Sequence, residues 1–197
     1  MTTLSPKEIR TITDKLLKTS SEQEERVVYA MCGIPASGKT TYVQSQIKAG
    51  NFPSTAFILN PDLVMEEIDG YQKDKEEHGA KFAFRKWEIS ARTLAYSLFQ
   101  TAKRDKKTII IDMGCAREEN RQMLMSLKDM QYKIYMTHVI CDIDTAIERT
   151  EKRERFTPSD MIYKRFNTLE MLIPSYKVLA DEFTEIDTTH LTLEDIA

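Results

Sequence analysis

The sequence has few cysteines and no excess of basic charge, and each shortage excludes a class of protein. Its three cysteines, Cys32, Cys115 and Cys141, are odd in number and far apart. They therefore match neither a disulfide framework nor the closely paired spacing of a zinc site. We expect a reducing compartment, the cytoplasm. Because 31 acidic residues outnumber 28 lysines and arginines, only a local basic patch could hold nucleic acid.

Long apolar runs are also missing. No segment approaches the roughly 20 apolar residues that a membrane span needs, and residues 1–18 lack a continuous apolar stretch, so we expect a soluble protein without membrane attachment. The 197 residues, 41% of them hydrophobic, can bury a substantial core. We divide the chain into an N-terminal helix and linker, residues 1–22, and a single larger domain, residues 23–197.

The most informative segment runs from Gly33 to Thr41 and reads GIPASGKTT. Two glycines separated by four residues, then Lys39 and Thr40, form the phosphate-binding loop pattern, here between a strand-like and a helix-like run. The backbone N–H groups would bind phosphate, Lys39 would reach the β- and γ-phosphates, and the Thr40 hydroxyl would bind Mg²⁺. An ordinary turn is the alternative. The loop residues predicted to contact ATP are Gly33, Ala36, Ser37, Gly38, Lys39, Thr40 and Thr41.

Strand-like and helix-like runs alternate along the chain, which predicts an α/β protein. Strands are expected at residues 27–32, 55–60, 108–111, 132–141 and 182–186. Helices are expected after the capping box Ser5–Glu8, behind the phosphate loop, and at residues 63–68, 80–104, 118–130, 145–151 and 158–172. Residues 70–78 are predicted to be an exposed loop, and Pro174 to interrupt the last helix. The predicted fold is a three-layer P-loop NTPase fold, a parallel sheet of about five strands with helices on both faces and a small helical lid.

Two aspartates follow predicted strands, where open α/β sheets place their ligand crevice. Asp62 could take the proton from an attacking hydroxyl, or it could cap the helix at residues 63–68. Asp112 ends the third strand, where an acid beside Thr40 could orient the hydration shell of Mg²⁺. Buried strands often end in Asp, so a structural role is the alternative there. We predict Thr40 and Asp112 as the metal-binding residues.

Several basic segments allow both a functional and a structural interpretation. Residues 81–87 interleave three basic and three aromatic side chains, which could hold a nucleic acid strand or could be core aromatics beside solvated bases. Arg117 and Arg121 could reach the crevice or lie on the surface. Residues 149–158 contain four bases within seven positions. They could form a solvated helix face, but beside a phosphate loop we interpret them as a lid that stabilises the transferred phosphoryl group.

Together, the phosphate loop, the acid after the second strand and the Arg-x-x-x-Arg segment resemble the kinase domain of phage-type polynucleotide kinases. More broadly they resemble the P-loop kinase group that includes the zeta toxins, over residues 27–187. The resemblance implies that Asp62 is the general base and that Arg153, with Arg149 nearby, acts on the transferring phosphoryl group. Two departures stand out. Asp112 is followed by Met113-Gly114 instead of a polar pair, and the phosphatase domain of the bifunctional members has no counterpart.

The resulting hypothesis is an ATP- and Mg²⁺-dependent kinase with Lys39, Asp62, Arg153 and Arg149 as catalytic residues and Arg149 also on the nucleotide. The 5′-hydroxyl of DNA or RNA is the first candidate acceptor. Hydroxymethylated bases in DNA, a nucleotide sugar or a nucleoside are alternatives. A third class is an ATPase switch that has no acceptor. Strong salt dependence of acceptor binding would favour the polyanion.

Overall fold

Five parallel strands form the centre of the structure, a computed structural model that describes residues 2–18, 26–153 and 157–196. The strands are β1 (Val27–Cys32), β2 (Phe57–Leu59), β3 (Ile109–Ile111), β4 (Lys133–Ile140) and β5 (Glu182–Asp187). Their spatial order is β2-β3-β1-β4-β5, and each neighbouring pair is parallel. Because β1 and β3 are covered on both faces, their sequences are continuously apolar.

Helices connect the strands, as parallel order requires. In the described residues they are α1 (Pro6–Lys18), α2 (Lys39–Lys48), α3 (Pro61–Glu66), α4 (Asp69–His78), α5 (Ala80–Arg104), α6 (Glu118–Asp129), α7 (Ile143–Glu151), α8 (Ser159–Leu179) and α9 (Leu193–Ile196). Within those described ranges, no helix has both the length and the apolar character of a membrane span.

The two faces of the sheet pack against different helices, because successive side chains of a strand point to opposite faces. On one face, Val28 and Ala30 of β1 join the larger core, to which α1, α5, α6 and α8 contribute. On the other face, Met31 packs with Val43 of α2 and with Ile110 of β3. The predicted three-layer fold, a five-stranded parallel sheet with helices on both faces, is confirmed.

Most element boundaries agree with the sequence-based expectations to within two residues, which is the usual uncertainty of helix ends. Two predicted segments are only partly described. The predicted linker at residues 19–22 and the centre of the predicted lid, residues 154–156, lie outside the described residues. The described part of the lid comprises the end of α7 through Arg153, and then Thr157 and Pro158 before α8.

Residues 70–78 belong to helix α4, so the predicted loop is wrong there. The segment is highly charged, and its helical state depends on contacts with α5 that local propensity does not contain. Tyr71 and Asp74 are buried. The Asp74 carboxylate accepts bonds from Nε1 of Trp87 at 2.6 Å and from Nζ of Lys86 at 2.9 Å. These bonds join α4 to α5, which carries part of the wall of the cavity described below.

The same contacts bear on the two interpretations of residues 81–87. Trp87 is buried and Lys86 is paired with Asp74, while Phe84 is half-buried and Phe82 is exposed. The aromatic side chains therefore differ in burial: Trp87 belongs to the core, as the structural interpretation expects, whereas Phe82 does not.

Helix α8 continues through Pro174 to Leu179, so the predicted interruption is wrong. A proline inside a helix removes one backbone hydrogen bond and crowds the preceding turn, and neighbouring contacts hold the helix in place here. Leu172 and Tyr176 are buried, and the Tyr176 hydroxyl donates a hydrogen bond to the carbonyl of Cys115 at 2.7 Å.

A substitution at Gly70 tests the contact between α4 and α5. A Cβ there would lie 2.4 Å from Cζ2 and 2.7 Å from Cη2 of Trp87, whose ring is fixed by its bond to Asp74. Alanine favours a helix over glycine by about 1 kcal/mol, but overpacking costs more. We expect Gly70→Ala to lower the free energy of unfolding by about 1–2 kcal/mol, measured by chemical denaturation.

The matched control is Glu76→Ala, an exposed position of the same helix, which should change the free energy of unfolding by no more than about 0.5 kcal/mol. If Gly70→Ala were as stable as the wild type, the Trp87 ring would have to be free to move, contrary to this packing.

Candidate active site

The carboxyl ends of β1, β2 and β3 open into one cavity of about 470 Å³, a volume typical of a small-molecule site. This is the edge at which open α/β sheets bind ligands. The phosphate loop, the segments that follow β2 and β3, and the residues before α8 all contribute to its lining. The sequence-predicted site residues in that lining are Gly33, Ala36, Gly38, Lys39, Thr40, Asp62, Asp112 and Arg153.

The phosphate loop rests against the turn that follows β3. The N–H of Gly33 donates to the carbonyl of Gly114 at 3.0 Å. A Cβ on Gly33 would lie 2.5 Å from the carbonyl oxygen of Val139, and a Cβ on Gly114 would lie 2.8 Å from that of Gly33. Both positions therefore require glycine. This close approach explains the glycine at position 114, the second residue after Asp112.

Lys39 is the cation of the loop. Its Nζ donates to the carbonyl of Ile34 at 2.6 Å and to Oγ of Ser37 at 3.2 Å, so the side chain lies across its own loop. Burial lowers the pKa of Lys39 to about 8; the charge of Asp112 acts in the opposite direction, and that of Arg153 lowers it further. Lys39 and Arg153 thus place their positive charges near each other at the loop end of the cavity.

The carboxylate of Asp112 is buried at the centre of the site. The hydroxyl of Thr40 donates to Oδ1 at 3.2 Å, and Nδ2 of Asn60 donates to Oδ2 at 2.7 Å. Burial raises the pKa of Asp112, whereas these two hydrogen bonds lower it. The carboxylate is thereby joined to the residues that follow β1 and β2.

The oxygens of Thr40 and Asp112 fit a magnesium ion. Mg²⁺ prefers oxygen ligands and usually keeps several waters, with one or two carboxylates and substrate phosphates completing its shell. Within residues 2–18, 26–153 and 157–196, no group of three or more His, Cys, Asp or Glu side chains could hold a metal. One hydroxyl and one carboxylate could hold such an ion together with phosphate oxygens and waters.

Asn60, which sequence reasoning missed, links Asp112 to Asp62. Its side-chain oxygen accepts a hydrogen bond from the N–H of Asp62 at 2.9 Å and makes Asn60 the N-cap of α3. The cap that we considered for Asp62 thus belongs to Asn60, and Asp62 lies in the first turn and lines the cavity. The sequence did contain a signal, because an Asn immediately before a Pro is typical of a helix start.

Ser37, Thr41 and Arg149 are outside the cavity lining. Nη2 of Arg149 donates to the carbonyls of Thr188 and Leu191, both at 2.6 Å. The Thr188 hydroxyl in turn donates to the carbonyl of Ser37 at 2.8 Å. In this structure Arg149 therefore binds the segment after β5, and Thr188 of that segment contacts the back of the phosphate loop.

A further part of the cavity wall consists of polar side chains from α5, α6 and α8. Arg117 lines the cavity, whereas Arg121, four residues further along, pairs with Glu118 and does not. Sequence reasoning missed the other members, which carry no shared motif and come together only through helix packing. They are Glu88, Arg92, Tyr96, Asn120 and Arg165.

Known proteins resemble this chain mainly in fold. A structure from the PezAT chromosomal toxin–antitoxin system of Streptococcus pneumoniae superposes with a TM-score of 0.73 at 12% identity, over 94% of this chain and 79% of that one. A candidate kinase from Chloroflexus aurantiacus gives a TM-score of 0.55 at 16% identity, over 88% and 95%. The AvrRxo1-ORF1:-ORF2 complex with ATP gives 0.64 at 17% identity, over 93% of this chain and 64% of that one.

Sequence comparison gives the family. No curated protein matches the chain, but a family model described as an AAA domain matches residues 28–172. That range contains the phosphate loop, Asp62, Asp112 and the described part of the lid, and it covers well over half of the 197 residues. The chain therefore belongs to this AAA domain family and has the fold of the P-loop kinases.

Proposed function

We propose that the protein transfers the γ-phosphoryl group of ATP to a hydroxyl group of an acceptor molecule. The observation that carries this proposal is the continuous series of hydrogen bonds from Thr40 through Asp112 and Asn60 to the backbone of Asp62. It holds a carboxylate beside the phosphate loop, in the same cavity, where an acceptor hydroxyl would have to lie.

In this proposal, Asp62 accepts the proton of the attacking hydroxyl. Phosphoryl transfer asks for little covalent chemistry from the protein, so positioning and charge stabilisation do most of the work. Lys39 would contact the β- and γ-phosphates, and Arg153 would stabilise the negative charge that spreads over the transferred group. Arg149 remains a candidate for the nucleotide phosphates, and to reach them its guanidinium would have to leave the carbonyls of Thr188 and Leu191.

Magnesium would be held by the hydroxyl of Thr40 and the carboxylate of Asp112. Its chemistry there would be to neutralise the charge on the β- and γ-phosphate oxygens. The protein's own contribution is to orient Asp112 through the hydrogen bonds from Thr40 and Asn60, which favour the charged form against the burial that raises the pKa of Asp112.

The acceptor has two candidates, each supported by a different observation. The resemblance to polynucleotide kinases supports the 5′-hydroxyl of DNA or RNA. The cavity of about 470 Å³ supports a compact acceptor, such as a nucleotide sugar, because a volume of this size suits a small ligand. Of residues 81–87, only Phe84 lines the cavity, so this segment adds little support for a nucleic acid strand.

Transfer from γ-labelled ATP tests the function directly. The acceptors are a 5′-hydroxyl oligonucleotide, hydroxymethylated duplex DNA, a nucleoside, a nucleoside 3′-phosphate and a nucleoside diphosphate sugar. We expect at least one to become labelled by the wild type and none by Lys39→Ala, which loses the cation that contacts the nucleotide phosphates. If label appears only as inorganic phosphate, whichever acceptor is present, the ATPase-switch alternative replaces the kinase proposal.

Replacing Asp62 tests the base. Asp62→Asn keeps the size of the side chain but cannot accept a proton, so we expect transfer to the labelled acceptor to slow about 10²–10⁴-fold. The dissociation constant for ATP, measured by calorimetry, should stay within a factor of two to three of the wild-type value. Glu66→Gln, an exposed acid of the same helix, is the control and should transfer normally. Near-normal transfer by Asp62→Asn would exclude Asp62 as the base.

Two substitutions of Asn60 separate its two hydrogen bonds. Asn60→Ser keeps an oxygen that can cap α3 but cannot reach Asp112, whereas Asn60→Ala loses both contacts. Asn60→Ala should therefore be less stable than Asn60→Ser by about 1 kcal/mol in chemical denaturation. Both variants should transfer phosphate about tenfold more slowly, or worse, because Asp112 loses a bond to its charged form. Wild-type transfer by Asn60→Ser would show that the bond to Asp112 has no part in catalysis.

A further inference from the structure

Three arginines from separate elements converge on one wall of the cavity. Arg92 lies in α5, Arg117 is the N-cap residue of α6, and Arg165 lies in α8. Nη1 of Arg165 donates to the carbonyl of Ala116 at 3.2 Å, which ties α8 to the turn that carries Arg117. We call Arg92, Arg117 and Arg165 the arginine wall.

The arginine wall has more positive than negative charge. Glu88 lines the cavity and pairs with Arg92. The negative charge of Glu119, which does not line the cavity, raises the pKa of Arg165. Over the described ranges, Arg117 makes no ion pair with any carboxylate. On this wall, one acid, Glu88, thus faces three guanidinium groups, while the other two acids of the lining, Asp62 and Asp112, follow β2 and β3.

The three charges also act on one another. Burial lowers the pKa of Arg165, and the charges of Arg117 and Arg92 lower it further. Like charges that are held together in a partly buried site cost free energy unless an anion lies between them. A guanidinium has five N–H donors, and in the described structure Arg92 and Arg165 each use few of them on protein acceptors. Most of the donors are therefore available to a ligand.

This wall is distinct from the phosphate loop. Lys39 begins α2 and Arg153 follows α7, whereas the residues of the arginine wall lie on α5, on α8 and directly before α6. The cavity therefore contains two groups of cations. The phosphates of ATP account for the group at the loop, and nothing in the transfer from ATP to a neutral hydroxyl would require the second.

We propose that the arginine wall is an oxyanion subsite that binds a phosphate group of the acceptor. Arginine binds phosphate with two parallel N–H···O bonds, and three forks around one cavity wall suit a phosphate or diphosphate. Tyr96 and Asn120 provide further polar groups on the same wall. The identification of this ligand as the acceptor rests on the kinase function proposed above. The presence of an anion subsite does not depend on that function.

This proposal narrows the class of acceptor. A hydroxyl compound that already carries a phosphate, such as a nucleoside diphosphate sugar or the terminal nucleotide of a strand, would be bound at both ends, by Asp62 and by the arginine wall. A free nucleoside or an uncharged sugar would lack the second contact. Phosphate-bearing acceptors should therefore be preferred whether the phosphate belongs to a small molecule or to a polynucleotide.

Anion binding can be tested without any transfer. The phosphate loop is first saturated with a non-hydrolysable ATP analogue and Mg²⁺, and inorganic phosphate is then titrated while its ³¹P line width is followed by NMR. We expect the wild type to broaden the signal saturably. Arg117→Gln combined with Arg165→Gln should weaken this binding about tenfold or more, because each arginine contributes charge-assisted hydrogen bonds.

Arg121→Gln is the matched control. It removes an arginine from the same helix, four residues after Arg117, that pairs with Glu118 and does not line the cavity, so phosphate should bind as in the wild type. Arg117→Lys keeps the charge without the fork and should bind with intermediate affinity. Thermal unfolding shows whether the combined variant is folded, and the exposed position of Arg117 makes Arg117→Gln alone a second test. The proposal would be overturned if the combined arginine variant bound phosphate as well as the wild type does, or if the wild type bound none.

Transfer kinetics then separate the sources of the phosphate. The acceptor pairs are a nucleoside and its 3′-phosphate, an oligonucleotide and its terminal nucleoside, and a nucleoside diphosphate sugar and the free sugar. The combined arginine variant should raise KM for the phosphate-bearing member of the preferred pair about tenfold or more and leave its partner unchanged. If phosphate binds the wall but no acceptor is labelled, the kinase proposal fails and the anion subsite stands. If an acceptor is labelled with unchanged KM, only the subsite fails.

Discussion

The buried carboxylate of Asp112 is the interaction on which the rest of the site depends. Moving a carboxylate out of water costs several kcal/mol unless hydrogen bonds replace its hydration. Here the two donors are Thr40, which follows β1 in the chain, and Asn60, which follows β2. These donors meet only because the three strands are parallel and in register, with Ala30 and Leu59 both opposite Ile111. The pairing of the sheet therefore sets the geometry of the polar site at its edge.

Asn60 shows how one side chain combines stability with the proposed chemistry. Its side-chain oxygen accepts a hydrogen bond from a backbone N–H in the first turn of α3, and its side-chain nitrogen donates a hydrogen bond to the carboxylate of Asp112. The same residue thus fixes where α3 begins and, through that start, where Asp62 lies in the cavity. The loop is supported in a comparable way from behind, where Arg149 orders Thr188 and the Thr188 hydroxyl bonds the carbonyl of Ser37.

The two groups of cations give the cavity two positively charged regions, which suits a reaction between two anionic reactants. Lys39 and Arg153 lie with the loop, and the arginine wall lies on α5, α8 and the start of α6. In the proposed reaction, a nucleotide and a phosphate-bearing acceptor would each be held by its own cations, and Asp62 would act between them. Separate subsites also limit the repulsion between two negatively charged ligands, since each is neutralised locally.

The sequence by itself determined the phosphate loop, the strands that carry it and the class of fold. These features are local, because glycine spacing, apolar runs and caps each act within a few residues. It pointed to Asp62, Asp112 and Arg153, which share the cavity, but it gave residues 70–78 as a loop and Pro174 as a break. Both errors have one cause, since α4 and the end of α8 are held by partners distant in sequence, Trp87 for the former and the carbonyl of Cys115 for the latter. Only the tertiary structure decided that Asn60 donates to Asp112, that Arg117 and not Arg121 faces the cavity, and that Arg92 and Arg165 join it. Those contacts arise when helices from three parts of the chain pack on one sheet, and no local pattern encodes them.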